Sequence, residues 1–176
     1  MRRESWVTVP NALSLSRLVL AAAFPAVNGP GPRLVLVALA SASDWLDGWL
    51  ARRGGTISRG GALLDPVTDR VFVLAAVSTF LYEGALTSAQ YFVLLSRDLL
   101  TAVGFLVARG IAWLRPVEFK ARLLGKVVTA LQLAVLFALL LRRDLVASLI
   151  VVVGVASAAA IADYTLALWR ARARPA

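Results

Sequence analysis

The segment that decides the fold runs from position 44 to position 69 and reads DWLDGWLARRGGTISRGGALLDPVTD. It carries four carboxylates at the facing ends of two apolar stretches: Asp44, Asp47, Asp65 and Asp69. Asp44 and Asp47 are three positions apart, so they share one face of a helix, and Asp65 and Asp69, four apart, do the same. The connection between the two stretches is short, which predicts antiparallel neighbouring helices with all four carboxylates at one depth.

The rest of the chain is unusually apolar. Of its 176 residues, 60% are hydrophobic, against about 45–50% in a soluble domain. A membrane helix needs roughly 20 mostly apolar residues. Six stretches come close to this length: 12–28, 33–51, 62–82, 87–108, 123–141 and 145–168. They predict an all-α membrane protein with six transmembrane helices in a single domain, 1–176, whose residues 1–11 form an interfacial N-terminal segment.

The basic residues predict the orientation of these spans. The net charge is +9, and thirteen Lys and Arg residues fall on the side of the N-terminus, against three on the other side. Because Lys and Arg accumulate in cytoplasmic loops, both termini and the aspartate cluster are expected at the cytoplasmic face. The pair Arg142-Arg143 falls on the opposite side, against this trend.

The residue types limit the chemistry. The chain has no Cys and no His, so metal binding and proton transfer depend on carboxylates. Four carboxylates in one pocket repel each other unless cations neutralise them, and oxygen-only ligands favour Mg²⁺ or Mn²⁺. Mg²⁺ commonly binds substrate phosphates as well. Two other interpretations are buried ion pairs with Arg17, Arg70 and Arg97, and a cation path through a transporter.

The spacing resembles a known family signature. Asp44-x-x-Asp47-Gly48-x-x-Ala51-Arg52, eight further residues, and Gly61-x-x-x-Asp65-x-x-x-Asp69 are similar to the motif of the CDP-alcohol phosphatidyltransferases. The segment 10–17, PNALSLSR, and the six-span layout resemble the same family.

The resemblance implies a reaction and a site. Members transfer a phosphatidyl group from CDP-diacylglycerol to an alcohol and release CMP. By this likeness a pair of Mg²⁺ or Mn²⁺ ions is bound by the four aspartates, and Asp69 also acts as the catalytic base. CDP is bound by Asp44, Gly48, Ala51, Arg52, Gly61 and Asp65. The family also implies a homodimer in the lipid bilayer, and the lack of a recognisable transit peptide favours a bacterial plasma membrane.

The second half of the chain points to the acceptor. The segments 96–98 (SRD) and 124–132 (LGKVVTALQ) resemble the branch that uses glycerol-type acceptors. Glycerol 3-phosphate is the first candidate, giving phosphatidylglycerophosphate. The alternative is phosphatidylglycerol, giving cardiolipin, because the Arg-Asp pair is more like that of cardiolipin-making members. The candidate residues for the acceptor phosphate are Arg97, Lys126, Arg122 and Arg70. The alternative interpretation of Arg97 is an ion-pair partner of Asp98 or of another buried acid.

Two other classes of function remain as alternatives. A small cation transporter would be expected to show pseudo-repeated halves with matched broken helices, and the sequence has no such repeat. A catalytically inactive homologue is disfavoured by the complete aspartate set. Asp98 and Asp163 receive no assigned role, and no nucleic-acid partner is expected.

Overall fold

Six α-helices make up the part of the chain that the computed structural model describes, which is residues 9–54, 61–110 and 123–172, with side chains described for 14–46, 68–104, 124–166 and Trp169. In chain order they are α1 (Val9–Ala23), α2 (Pro30–Gly54), α3 (Gly61–Tyr82), α4 (Ser88–Gly110), α5 (Leu123–Leu141) and α6 (Val146–Arg172). A short 3-10 helix, Arg143–Leu145, lies between α5 and α6. The predicted all-α class is confirmed for these residues.

Two of the helices are long and apolar enough to cross a membrane. Within the described residues these are Leu124–Leu141 and Arg143–Leu166, with mean hydropathies of 2.2 and 2.6. A shorter apolar stretch, Ser14–Ala23, lies in α1. Large apolar side chains on the surfaces of these helices are exposed, for example Val19 at 69% and Val155 at 67%. Exposed apolar surface of this kind suits lipid better than water.

The chain divides into two compact units, each described here by itself. The first comprises 1–86 and 136–143, and in it α1 packs against both α2 and α3. The buried face of α1 carries Ser14, Arg17 and Ala21, at the three- and four-residue spacing of a helix face, and the buried Phe24 directly follows the helix. The ring of Phe24 makes edge-on contacts with two rings of α3, at centroid distances of 6.0 and 5.7 Å.

An ion pair joins the start of α2 to the end of α3. The Arg33 guanidinium donates to both carboxylate oxygens of Glu83, at 2.6 and 2.5 Å, and its Nε donates to the Val27 carbonyl at 2.8 Å. The same guanidinium lies 5.4 Å from the centroid of Phe24 and 5.7 Å from that of Phe80. Hydrogen bonds from Arg33 hold the pKa of Glu83 below its usual value, although burial acts in the other direction.

The second unit comprises 87–135 and 144–176, and α4 packs against α6 within it. A capping box begins α4: the Thr87 N–H donates to Gln90 Oε1 at 2.9 Å, and the Gln90 N–H donates to Thr87 Oγ1 at 3.3 Å. A Cβ added to Gly154 of α6 would lie 3.1 Å from Val93 Cγ1 of α4. The two helices therefore pack closely because position 154 is a glycine.

Candidate functional site

Two of the four predicted aspartates meet at one buried arginine. Arg17 of α1 is 1% exposed, and its Nη1 atom forms an ion pair with Asp69 of α3. The same Nη1 lies 3.4 Å from Asp44 Oδ1 of α2. Because both carboxylates approach one nitrogen atom, the structure brings Asp44 and Asp69 together, as the sequence predicts.

The two carboxylates lie in the middle part of their helices, well away from the Arg33–Glu83 pair. Asp44 follows Arg33 by eleven positions along α2, and Asp69 precedes Glu83 by fourteen along α3. The contacts at both levels show that α2 and α3 run antiparallel, as predicted. At 1.5 Å per residue, the arginine–aspartate cluster lies roughly 16 Å along α2 from the other ion pair.

Asp44 and Asp69 are the two predicted metal ligands whose side chains the structure describes. Two carboxylates from different helices already share one positive charge, and both keep access to the surroundings: the Asp44 side chain is 48% exposed and that of Asp69 is 27% exposed. Among the described side chains there is no group of three or more Asp, Glu, His or Cys with metal-binding geometry. The four-carboxylate site predicted from the sequence also requires Asp47 and Asp65.

Several predicted site residues lie outside the described side chains. Their backbone positions are helical: Asp47, Gly48, Ala51 and Arg52 belong to α2, and Gly61 and Asp65 belong to α3. Arg122 lies outside the described residues altogether, as does most of the predicted interfacial segment. The roles of these residues stay predictions.

The second unit contains another buried arginine, Arg97 of α4, which is 7% exposed. Its Nη1 donates to Asp98 Oδ1 at 2.8 Å. Asp98 Oδ2 in turn accepts a hydrogen bond from Gln132 Nε2 of α5 at 2.7 Å, and the same amide nitrogen lies 2.7 Å from the Leu94 carbonyl. The ion pair with Asp98, one of the two interpretations of Arg97 from the sequence, is therefore present.

The other basic candidates differ in their surroundings. Lys126, in the first turns of α5, is exposed, and Arg70 of α3, next to Asp69, is partly exposed. Asp163 of α6 is also partly exposed and has interactions of its own. Of the described candidates for the acceptor phosphate, Arg97 alone is buried.

Arg17 and Gln132 belong to these two clusters, although the sequence pattern did not predict either of them as a site residue. Arg17 was expected only as one possible ion-pair partner, and Gln132 only as part of a segment that resembles the glycerol-type branch. The signal for both was available, since each is a polar residue within an apolar stretch, where its insertion is costly. Their partners lie 27 or more positions away, and only the packing of the helices identifies them.

Comparison with known proteins supports the resemblance. The family model described as CDP-alcohol phosphatidyltransferase matches residues 7–168. A protein from Streptomyces coelicolor named cardiolipin synthase (CMP-forming) is 39% identical over 115 residues, covering 59% of this chain and 54% of that protein. An Aquifex aeolicus protein named CDP-diacylglycerol–glycerol-3-phosphate 3-phosphatidyltransferase is 37% identical over 110 residues, covering 58% of this chain and 62% of its own length.

A relative with the same name as the Aquifex protein, from Yersinia pestis, is 31% identical over 150 residues, covering 80% of this chain and 77% of that protein. The chain thus spans between half and two thirds of the length of the first two relatives, and more than two thirds of the third.

Proposed function

Since this chain belongs to the CDP-alcohol phosphatidyltransferase family, we propose that it transfers a phosphatidyl group from CDP-diacylglycerol to an alcohol and releases CMP. The observation that carries the proposal is the meeting of Asp44 and Asp69, the first and last aspartates of the family motif, at one buried guanidinium. This contact supports the proposal because it brings carboxylates from two helices to one point. Together with the family, the two apolar helices point to a membrane protein.

The proposed acceptor is glycerol 3-phosphate. It is the acceptor in the names of the Aquifex and Yersinia relatives, one of which matches 80% of this chain. Synthesis of cardiolipin from phosphatidylglycerol is the second candidate, favoured by the relative from Streptomyces. Both acceptors carry a phosphate, for which Arg97, Lys126, Arg122 and Arg70 are the proposed binding residues.

We further propose that Asp44, Asp47, Asp65 and Asp69 bind two Mg²⁺ or Mn²⁺ ions. The shared contact with Arg17 supports this, because it shows that a positive charge fits between Asp44 and Asp69. When bound, such ions neutralise the carboxylates and withdraw charge from the pyrophosphate of the activated lipid. Gly48, Ala51, Arg52 and Gly61 are proposed to shape the CDP pocket with Asp44 and Asp65.

In this proposal Asp69 accepts the proton of the acceptor hydroxyl. A bond forms between the acceptor oxygen and the phosphorus that carries diacylglycerol, and the bond from that phosphorus to the bridging oxygen of CMP breaks. CMP leaves with the bonding electron pair. A positioned general base contributes about 10²–10⁴-fold to such reactions, since the pKa of an alcohol lies far above 7.

The proposed topology has six transmembrane helices, with both termini and the active site at the cytoplasmic face of a bacterial plasma membrane. It is supported by the thirteen-to-three distribution of basic residues and by six described helices close to the six predicted spans. A homodimer is proposed from the family alone.

The test is acceptor-dependent release of CMP by the protein purified in detergent with CDP-diacylglycerol and Mg²⁺ or Mn²⁺. Glycerol 3-phosphate and phosphatidylglycerol are supplied separately, with inositol phosphate and serine as further acceptors. We expect release with glycerol 3-phosphate, lost in Asp69→Asn but kept in the matched control Asp144→Asn, which lies in the 3-10 helix. Absence of release with every acceptor, or full release by Asp69→Asn, would overturn the proposal.

A further inference from the structure

The guanidinium of Arg97 lies directly over a glycine in the first turn of α5. A Cβ added to Gly125 would lie 2.3 Å from Arg97 Nη2 and 3.4 Å from Arg97 Cζ. It would also lie 3.3 Å from the hydroxyl oxygen of Tyr164 on α6. Any other residue at position 125 therefore pushes the guanidinium out of its place.

A chain of hydrogen bonds fixes the guanidinium from the other side. Gln132 is 2% exposed, and its amide nitrogen contacts both the Leu94 carbonyl and Asp98 Oδ2 at 2.7 Å. The other oxygen of Asp98 accepts the hydrogen bond from Arg97 Nη1 at 2.8 Å. Gln132 thus acts on Arg97 through Asp98. It lies on α5, about two turns after Gly125.

The Arg97 guanidinium keeps hydrogen-bond donor capacity beyond its ion pair with Asp98. The Arg97 side chain is 9% exposed, and its buried Nε has no hydrogen-bond partner among the residues that the structure describes. The guanidinium also lies at the N-terminal end of a 19-residue helix, where the helix dipole adds a positive partial charge. One oxygen of the Asp98 carboxylate accepts from Arg97, and the other accepts from Gln132. Such surroundings favour an anionic oxygen beside the guanidinium.

We infer that Gln132 and Gly125 are positioning residues for an anion subsite centred on Arg97, and that the subsite binds the phosphate of the acceptor. Gly125 leaves the space in which the guanidinium lies, and Gln132 holds Asp98 so that the guanidinium keeps its direction. The inference rests on the proposed function for the identity of the occupant. The cluster itself is made of described residues of the second unit.

The test compares Gly125→Ala and Gln132→Met with two glycine controls. Among the described residues, a Cβ added by Gly104→Ala has nothing within 4 Å, whereas the one added by Gly154→Ala lies 3.1 Å from the apolar Val93 Cγ1. For the two positioning variants we expect the KM for glycerol 3-phosphate to rise about tenfold or more while the KM for CDP-diacylglycerol changes less than about twofold. Gly154→Ala is expected to lower the unfolding temperature without changing either KM.

A direct binding measurement distinguishes failure of this inference from failure of the proposed function. Glycerol 3-phosphate and inorganic phosphate are titrated into the purified protein without CDP-diacylglycerol, and phosphatidylglycerol is offered in mixed micelles. Binding by the wild type that is lost in Gly125→Ala and Gln132→Met supports the subsite even if no CMP is released, in which case only the proposed function fails. Binding of phosphatidylglycerol but not of the two soluble anions assigns the subsite to a lipid phosphate.

The inference is wrong if the wild type binds none of the three. It is also wrong if both positioning variants bind as the wild type does, if they leave both KM values unchanged as Gly154→Ala is expected to, or if they raise the two KM values alike.

Discussion

Arg17 of α1 pairs with Asp69 of α3, and the nitrogen atom that makes this pair also lies 3.4 Å from Asp44 of α2. One buried side chain thus joins three helices at the position where the family motif supplies its first and last carboxylates. The guanidinium offsets the mutual repulsion of these two carboxylates.

Replacing Arg17 with Ala is therefore expected to destabilise the metal-free protein. Hydrogen bonds to charged groups contribute about 1.5–3 kcal/mol, and the variant loses those between Arg17 and two carboxylates. In chelator, the unfolding temperature measured by scanning calorimetry in detergent should fall. Added Mn²⁺ should raise it more in the variant than in the wild type, since the ion then supplies the missing positive charge.

Val19→Ala is the control for this experiment, because Val19 is 69% exposed and points away from the Arg17 face of α1. It should unfold close to the wild-type temperature in both conditions. Equal unfolding temperatures of Arg17→Ala and wild type in chelator would show that the guanidinium does not hold the aspartates together.

The Arg33–Glu83 pair predicts a loss of stability in acid. The pKa of Glu83 is lowered in the folded state, chiefly by the hydrogen bonds from Arg33. Its stabilising contribution is therefore fully present above the unfolded-state pKa of about 4.3 and is lost as the pH falls through the lower folded-state pKa. The unfolding temperature of the wild type should fall more steeply with acid than that of Glu83→Gln.

This comparison is made by measuring unfolding temperatures from pH 7 down to the acid limit of solubility. Glu83→Gln should be less stable than the wild type at pH 7, because Arg33 is buried and loses its charged partner. If the two proteins show parallel pH profiles, Glu83 does not contribute its charge to stability.

The sequence predicted the helices well because their apolar runs end at strong breaks. The predicted span 123–141 coincides with α5. The first span was wrong at its end, since α1 stops at Ala23 and not at position 28. Pro25 lacks the N–H that a continuing helix needs and restricts the residue before it. The second helix begins earlier than predicted, at Pro30, because proline suits the first turn of a helix.

The candidate site was predictable only in part. The short connection between two apolar stretches predicted that Asp44 and Asp69 would meet, and the structure brings them together. Periodicity says which residues face inward, but it does not say which inward residues of different helices touch. The contact of Gln132 with Asp98, 34 positions away, and that of Arg97 with Gly125 depend on helix packing, which the sequence pattern does not specify.

Gly84 forms the turn that places Glu83 beside Arg33. Its φ is +72°, which costs an L-residue about 1–2 kcal/mol, and the Ala85 N–H donates to the Phe80 carbonyl at 2.9 Å across the turn. Gly84→Ala should therefore lower the unfolding temperature. Gly104→Ala, at a helical position with open space around it, should leave it unchanged or raise it slightly. Equal values for the two variants would show that the turn does not require glycine.

The last prediction separates metal binding from proton transfer within the aspartate set. Asp44 and Asp69 contact the same guanidinium, but only Asp69 is proposed as the base. Asp44→Asn removes one proposed charged ligand, so it should weaken Mn²⁺ binding and regain much of its CMP release when Mn²⁺ is raised. Asp69→Asn also loses the proton acceptor, so its release should stay about 10²–10⁴-fold below the wild type at any Mn²⁺ concentration.

Both quantities are measured on the same preparations, Mn²⁺ binding by electron paramagnetic resonance and CMP release with saturating CDP-diacylglycerol and glycerol 3-phosphate. Ser41→Ala, a change on α2 whose hydroxyl bonds only to the Val37 carbonyl of its own helix among the hydrogen bonds described for it, should bind Mn²⁺ and release CMP as the wild type does. If Asp69→Asn recovers with Mn²⁺ to the same extent as Asp44→Asn, then Asp69 is a metal ligand alone. The proton must in that case pass to a different acceptor, and Asp65 is the nearest remaining carboxylate on the same helix.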